Sequence, residues 1–526
     1  MRWRRPSLPA ICIGLLVLGA LISGFTMLQD IDPFDEGLML QAARRVGGGQ
    51  LPYRDFLWAY GPAQPYLLAG LFKLFGVSLL HWRILRVLAD AAVALVAYLL
   101  VRDRPVGDRP GAASAGRLRQ WTATAVPVAV WLAAITEMAE PRSANPFAVA
   151  LLCSLGALLV ASREGTPAGR RTLLSAAVLS GLAAAFRLDF ALYGLAGVAI
   201  SILLGRGMRS ALAYLVASVA LIALVYLPFL VAIGPAALYH ALIGTSLHTG
   251  AYWSLPFPLR FHPPPRAGAF KTAKHALDFY VPVLSIAAVA LAAVAVLLRL
   301  PAERRLPARA CGLIVLGAGT VPYLLSRSDE FHAQPVLVVA VVVLGLRAVN
   351  GPRRFIPACV LLLGLLLAHG VLNRLSALVH PPPESRLQIA VGDGVQARPP
   401  EARAIERMVD LVDAEVPPRA PIYVAARRSD LVRFNDPLIY VLTQRRNPTP
   451  EDFGLLTGAA AQARIVSELA SVRPRVIVRW TDPVSSSREP NLRGRASGVH
   501  TLDRWISAHY RLLARLYHYD VLRWAG

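Results

Sequence analysis

Four carboxylates crowd into the stretch DIDPFDEG: Asp30, Asp32, Asp35 and Glu36. Like charges this close repel, so some of these groups hold their protons to higher pH than a free carboxylate does. A carboxyl tuned that way can move a proton in a reaction. The residues also have a plainer use in a solvated acidic loop, where Asp32 or Asp35 caps a helix starting at EGLMLQAARRV. Their place sets them apart. They follow ICIGLLVLGALISGFTMLQ, a run as apolar as a membrane span, and so stand at a bilayer edge.

Other reactive groups lie further along. TEMAEPRSANPF, residues 136–147, carries Glu137 and Glu140, and it reads equally as a polar helix end. SRSDEFHAQP places Arg327, Asp329 and His332 in a short connection between two apolar runs. Arg187 lies in FRLDF, and Arg83 and Arg86 flank the start of the second apolar run. A single Arg near a membrane usually snorkels to the headgroups. As a set at one face, these cations are better explained by an anionic ligand. His332 has no partner at metal-ligand spacing, so metal ligands stay unassigned. The stretch LYHALIGTSLHTGAYWSLPFP, within 235–279, suits a sugar or acceptor platform or an interfacial aromatic belt.

The elements that must carry these residues follow from composition. The chain has 526 residues, 55% hydrophobic and 17% charged, with mean hydropathy +0.49. That is too apolar for an ordinary soluble protein and marks a polytopic α-helical membrane protein. A net charge of +23 would suggest nucleic acid in a soluble chain. Here Arg-rich loops on one side of a membrane account for it, and no nucleic-acid partner is expected. Cys12, Cys153, Cys311 and Cys359 all lie inside apolar runs and read as small core residues. The first apolar run is long and lacks a small-residue cleavage site, which argues against a cleavable signal peptide.

Apolar runs long enough to cross occur at 9–29, 86–101, 120–136, 145–162, 211–233, 280–298, 310–326 and 355–373. Two shorter runs, 172–186 and 190–205, flank FRLDF. One helix through both would bury Arg187 and Asp189 in lipid, so two spans with a tight polar turn are expected. A short run at 335–346 brings the total to about 11 spans. Charge bias supports this alternation. With the N-terminus cytoplasmic, the inner segments hold 20 Lys and Arg in 56 residues, the outer connections 13 in 121. The long first outer loop, 30–86, and everything after about residue 374 then face outward.

The loop itself is unusual. GGGQLPYRDF and WAYGPAQPYLLAGLFKLFG form two amphipathic pieces joined by Gly and Pro turns, with Tyr53, Phe56, Trp58, Tyr60 and Tyr66 crowded together. Such pieces suit a membrane interface. A loop lying on the bilayer with acids at its start suggests chemistry on a lipid-borne substrate, and Tyr53 is taken as substrate-binding. Residues 376–526 change character after the linker HPPPESRLQ. APIYVAA and PRVIVRW read as short buried strands, and AAAQARIVSELASV between them has helical spacing, so a small α/β domain is expected.

The motif DPFDEG, then AARRVGGGQLPYRDF, YGP and YLLAGLFKLFGVSLLHWRILRVL, resembles the first outer loop of GT-C fold membrane glycosyltransferases. In particular it is similar to bacterial members related to protein mannosyltransferases and the aminoarabinose transferase of lipid A. The resemblance covers roughly 1–375 and is strongest over 30–90; the 376–526 segment has no matched counterpart. It implies a GT-C-like membrane domain and a polyprenyl-phosphate-linked sugar as donor. The acceptor would be a glycan, lipid or protein of the cell envelope, and the site is the cell membrane. Asp35 matches the family's loop acid and is the implied base, with Glu36 able to assist or substitute. Glu140 is the implied second acid. A divalent cation between Asp35 and Glu140 stays open, because family members differ in metal need. With one carboxylate and a single displacement, the anomeric configuration inverts.

Two other classes compete. A transporter or flippase for lipid-linked sugars would show inverted repeats and mid-bilayer polar groups; no such repeat is found, and the acids sit at an edge. A mere anchor for the α/β domain needs far fewer spans.

Overall fold

The computed structural model describes residues 7–102, 117–143, 145–162, 169–245, 268–298, 307–350, 353–379, 381–431, 435–452, 458–483 and 496–526, with 247, 254, 255, 257, 259–263 and 265. Most of the aromatic and histidine stretch at 246–258 lies outside the described residues.

Among the described residues, a helix occupies each apolar run. These are Leu8–Gly24 (α1), Leu80–Arg102 (α4), Arg117–Met138 (α5), Phe147–Ala161 (α6), Arg170–Phe186 (α7), Leu188–Arg206 (α8), Met208–Ile233 (α9), Ala269–Leu297 (α11), Ala308–Ser326 (α12), Glu330–Asn350 (α13) and Ile356–Val379 (α14). Seven of them are long and apolar enough to cross a membrane. The first long loop carries Asp35–Gly47 (α2) and Ala63–Phe75 (α3), and Pro235–Tyr239 (α10) follows α9. On α3, Tyr66, Leu67, Leu74 and Phe75 are exposed beside Lys73, as in a helix lying at a membrane interface.

Three boundaries differ from those read in the sequence. The long loop ends before residue 80, because α4 starts at Leu80 and takes Arg83 and Arg86 into the helix. The helix behind the short run 335–346 extends from Glu330 to Asn350. It stands at the centre of the bundle, with every residue from Val336 to Leu344 buried, so its apolar section is set by protein neighbours. The turn in FRLDF is a single extended residue, Arg187, with φ −156° and ψ 113°. Asp189 already belongs to the first turn of α8.

After α14 the chain builds a four-stranded sheet from Tyr423–Ala426 (β3), Val476–Trp480 (β4), Tyr510–Leu516 (β5) and Tyr519–Trp524 (β6), in the order β3-β4-β6-β5. β3 and β4 run parallel, β6 is antiparallel to β4, and β5 is antiparallel to β6. A small ladder of Ser385–Arg386 (β1) and Gln396–Ala397 (β2) precedes it. The helices are Pro399–Glu415 (α15), Leu438–Leu442 (α16), Ala459–Val472 (α17) and Thr501–His509 (α18). β3, β4 and α17 fall at the expected places; the β5–β6 hairpin does not show in the sequence reading.

The division at residue 375 is not where the cores divide. Leu38, Met39, Phe56, Trp58 and Trp82 of the first loop and α4 share one core with Val391, Ile405, Met408, Val424, Leu438 and Val478. Backbone bonds stitch the same surfaces: Leu57 N–H donates to Pro450 O at 3.1 Å and Gln396 N–H to Leu28 O at 2.7 Å. Arg45 forms a buried pair with Asp452 at 2.7 Å. Gly37 of α2 lies flat against α16, where a Cβ would stand 2.3 Å from Leu438 N. Only a residue without a side chain allows that approach.

Gly37→Ala should therefore force α2 and α16 apart. Thermal unfolding in detergent should show a loss of about 1–3 kcal/mol, as for other overpacked contacts. An unchanged transition would mean that the two helices can separate freely.

Candidate active site

α2 starts with a local device. Asp32 Oδ1 accepts the backbone N–H groups of Phe34 and Asp35, each at 3.1 Å, and so turns the chain into the helix. Asp35 is the first residue of α2 and Glu36 the second. Successive residues on a helix point about 100° apart, and these two acids have opposite fates.

Glu36 is wholly buried and bonded on both oxygens by Arg83, at 2.6 and 2.7 Å; both side chains are 0% exposed. Arg83 also donates to the carbonyls of Met27 at 2.8 Å, Gln29 at 3.3 Å and Asp30 at 2.8 Å. All its N–H groups are engaged. Neither residue fits the role read from the sequence: Glu36 has no open space in which to assist a base, and Arg83 has no donor left for a phosphate. Arg86 departs in the same way. It is buried, pairs with Asp90 at 2.6 Å, and donates to Ser143 O at 2.8 Å and Met138 O at 3.2 Å. Ser23 of α1 donates to the other oxygen of Asp90 at 2.8 Å. These groups tie α1, α4 and the α5–α6 turn together beneath the loop.

Asp35 keeps a partly open position. Burial pushes its carboxyl up; the charges of His332, Arg327 and Arg187 pull it down, and Asp329 pushes it up again. The net direction is upward. The structure thus brings Asp35, Arg187, Arg327, Asp329 and His332 into one neighbourhood, although they lie on the α2, α7–α8 and α12–α13 segments.

The two Arg residues are presented alike. Arg187 and Arg327 each end a helix in an extended conformation, and each pairs with the Asp two residues on. Arg187 Nε lies 2.9 Å from Asp189, and Arg327 Nε lies 2.8 Å from Asp329. The repeated Arg-x-Asp in FRLDF and SRSDEF was the signal in the sequence that these turns match. Arg187 also donates to Asn145 Oδ1 at 2.6 Å and lies over the rings of Tyr60, Phe190 and Tyr323. His332 packs its ring 4.7 Å from that of Tyr323 and places Nδ1 2.7 Å from Asp329 Oδ1. Burial pushes the Asp329 carboxyl up, but the hydrogen bonds and charge of His332 and the charge of Arg327 hold it below the usual range.

Tyr323 and Asn145 were not singled out in the sequence, and Tyr60 was named there only among the crowded loop aromatics. Tyr60 is set in place by Gly61, whose N–H donates to Phe186 O at 3.1 Å and where a Cβ would stand 2.2 Å from Ala185 O. Burial raises the Tyr60 hydroxyl to about 12, so it keeps its proton. Tyr53 is turned away from this role: it has φ 70°, gives its hydroxyl to Tyr60 O at 2.6 Å, and packs edge-on against Phe229.

Glu140 lies just beyond the end of α5 and accepts Gln334 Nε2 at 2.8 Å. Its charge acts on Glu137, Glu330 and Asp90. It belongs with those acids, and among the described residues no group of three metal-ligating side chains includes Asp35 or Glu140.

The arrangement sets a carboxyl of raised proton affinity within the field of Arg187, Arg327 and His332, at one end of a helical bundle. The whole chain has the fold of the GT-C membrane glycosyltransferases. ArnT from Cupriavidus metallidurans in the apo state matches with TM-score 0.55 and 13% identity, over 98% of both chains. The same protein bound to undecaprenyl phosphate matches at 0.53 and 14%, over 97% of both. A variant of the arabinofuranosyltransferase AftD from Mycobacteria gives 0.50 and 13%, over 99% of this chain and 42% of that one. No protein-family model and no curated protein matches the sequence.

Two measurements test this frame. Arg83→Leu leaves Glu36 buried without its counter-charge and should cost about 3–5 kcal/mol in detergent unfolding. Glu36→Leu with Arg83→Leu should recover most of it; a single-variant cost below about 1 kcal/mol is what a surface pair gives and would refute the role. The second concerns Asp32, whose carboxyl burial and the charges of Asp35 and Glu36 push from 3.8 up to about 8. The unfolded chain loses this proton first, so its contribution to stability falls as pH climbs from about 4 to about 8. Asp32→Asn keeps the Oδ1 acceptor and should lose this part of the slope. Parallel pH curves for the two proteins would refute it.

Proposed function

We propose that this chain is a membrane glycosyltransferase that moves a sugar from a polyprenyl-phosphate donor to an acceptor outside the cell membrane. The carrying observation is Asp35: a carboxyl with raised proton affinity that feels the charges of Arg187, Arg327 and His332. In this reading all eleven apolar helices cross the membrane. The N-terminus is cytoplasmic, and α2, α3 and the α/β segment lie on the outer side, as the charge bias supports.

Asp35 takes the proton of the acceptor hydroxyl. The oxygen attacks the anomeric carbon, the carbon–oxygen bond to phosphate breaks, and the polyprenyl phosphate leaves with the bonding pair. One displacement inverts the anomeric centre. Arg187 and Arg327 meet the growing phosphate charge, each oriented by its own Asp, so little reorganisation is needed as that charge develops. His332, held through Nδ1 by Asp329, presents Nε2 to the same anion. The exposed apolar edge of α3 gives a surface beside which a lipid-borne donor can lie. The match to ArnT bound to undecaprenyl phosphate supports a lipid phosphate as the donor carrier.

The test uses purified protein, radiolabelled polyprenyl-phosphate sugars and a cell-envelope extract. Asp35→Asn should lower label transfer at least roughly a hundredfold while donor binding stays within a factor of a few. Transfer by Asp35→Asn at the wild-type rate would remove Asp35 from the chemistry. A folded wild type that turns over no donor would favour a transporter.

A further inference from the structure

A second group of side chains converges at the same end of the bundle, from four helices. His369 of α14 is buried, and its Nδ1 lies 2.7 Å from Oε1 of Glu137 on α5. A carboxylate on Nδ1 fixes the ring and its tautomer, and it leaves the lone pair on Nε2. Nε2 faces Oδ1 of Asp278 on α11 at 3.6 Å. That oxygen is buried and has no hydrogen-bond partner among the described residues. Lys274 binds only the other oxygen, Oδ2, at 2.9 Å. The carboxylate of Glu330, the first residue of α13, closes the group: ligand atoms of Asp278, Glu330 and His369 all lie within 4.8 Å of one another. Asn373 Nδ2 donates to Nε2 at 3.1 Å, a hydrogen bond that an ion bound at Nε2 would replace.

Nε2 and Oδ1 stand 3.6 Å apart, too far for a good hydrogen bond. The separation is close to what two ligands keep when each stands about 2 Å from one ion. Charge points the same way. Glu137, Asp278 and Glu330 gather here with Glu140 nearby, against Lys274 and Arg374. The carboxylate behind the imidazole is the usual support of a ligating histidine.

We propose that Asp278, Glu330 and His369 bind a divalent cation of the zinc, cobalt or manganese class, with Glu137 as the group that orients the imidazole. One nitrogen and two carboxylates suit such borderline ions. Glu330 is exposed, which gives the ion an entry path. The ion would join α5, α11, α13 and α14. Because Glu330 follows Asp329 directly, it would also anchor the turn that presents Arg327 and His332. The site stands whether or not the chain transfers sugars.

The test is a cobalt(II) titration of the purified full-length protein, read by visible ligand-field absorption, with zinc competition and metal analysis. Wild type should take up one equivalent with the spectrum of a nitrogen and oxygen site. His369→Gln and Asp278→Asn should abolish the signal, and Glu137→Gln should weaken binding roughly 10–100-fold. Lys274→Ala should tighten binding, since it removes a competing cation. Metal uptake by Asp278→Asn equal to wild type overturns the proposal, and so does a folded wild type that binds no stoichiometric cobalt. A Lys274→Ala variant that binds no metal also overturns it, because the cluster is then an ordinary salt-bridge network.

Discussion

The Glu36–Arg83 pair is the contact on which the rest of the site depends. It joins the start of α2 to α4 with no water on either charge, and Arg83 spends its remaining donors on the carbonyls of Met27, Gln29 and Asp30. Desolvating two charges is costly, and a buried pair gives little net stability over an apolar replacement. What it does give is direction. Only one placement of the segment between α1 and α2 satisfies every donor of the guanidinium, so the backbone leading to Asp35 is fixed to within hydrogen-bond tolerance. Asp35 then keeps a partly open position, because its neighbour in sequence is held facing the other way.

The cations opposite Asp35 come from a different principle. Each stands where one helix stops and the next begins, with an Asp two residues later to hold the guanidinium. In such a corner the chain needs only one extended residue, so the side chain is presented rigidly. The Tyr60, Phe190 and Tyr323 rings around Arg187 add a low-dielectric wall that strengthens its field.

The sequence carried the bundle well because the bilayer imposes a strong demand. Apolar runs of the needed length are hard to hide, and each holds a helix. The sequence hid whatever depends on distant partners. Arg83 and Arg86 looked like loop charges because their acceptors lie elsewhere: Glu36 is 47 residues away, and the Ser143 carbonyl 57 from Arg86. The ends of α13 were obscured because its first turn carries Glu330 and His332. Asp35, Arg187, Arg327, Asp329 and His332 were readable as candidates, since each sits at a polar edge of an apolar run. Tyr60 and Tyr323 were not, because an aromatic residue near a membrane surface has a commoner explanation. The β5–β6 hairpin was missed because LYHYDV has no glycine turn; the structure supplies positive φ at Tyr517 instead.

The core shared by α2 and the C-terminal sheet limits how molecules can travel through this protein. A cap joined by Leu38, Met39, Ile405, Val424 and Leu438 cannot lift like a hinged cover without exposing that interior to water. On the proposed function, a reactant that leaves this core closed reaches Asp35 from the flank, where the helices meet the lipid. That geometry suits a reactant delivered by two-dimensional diffusion. On the same reading, the reach of an arriving acceptor, measured sideways along the membrane, limits what can be modified.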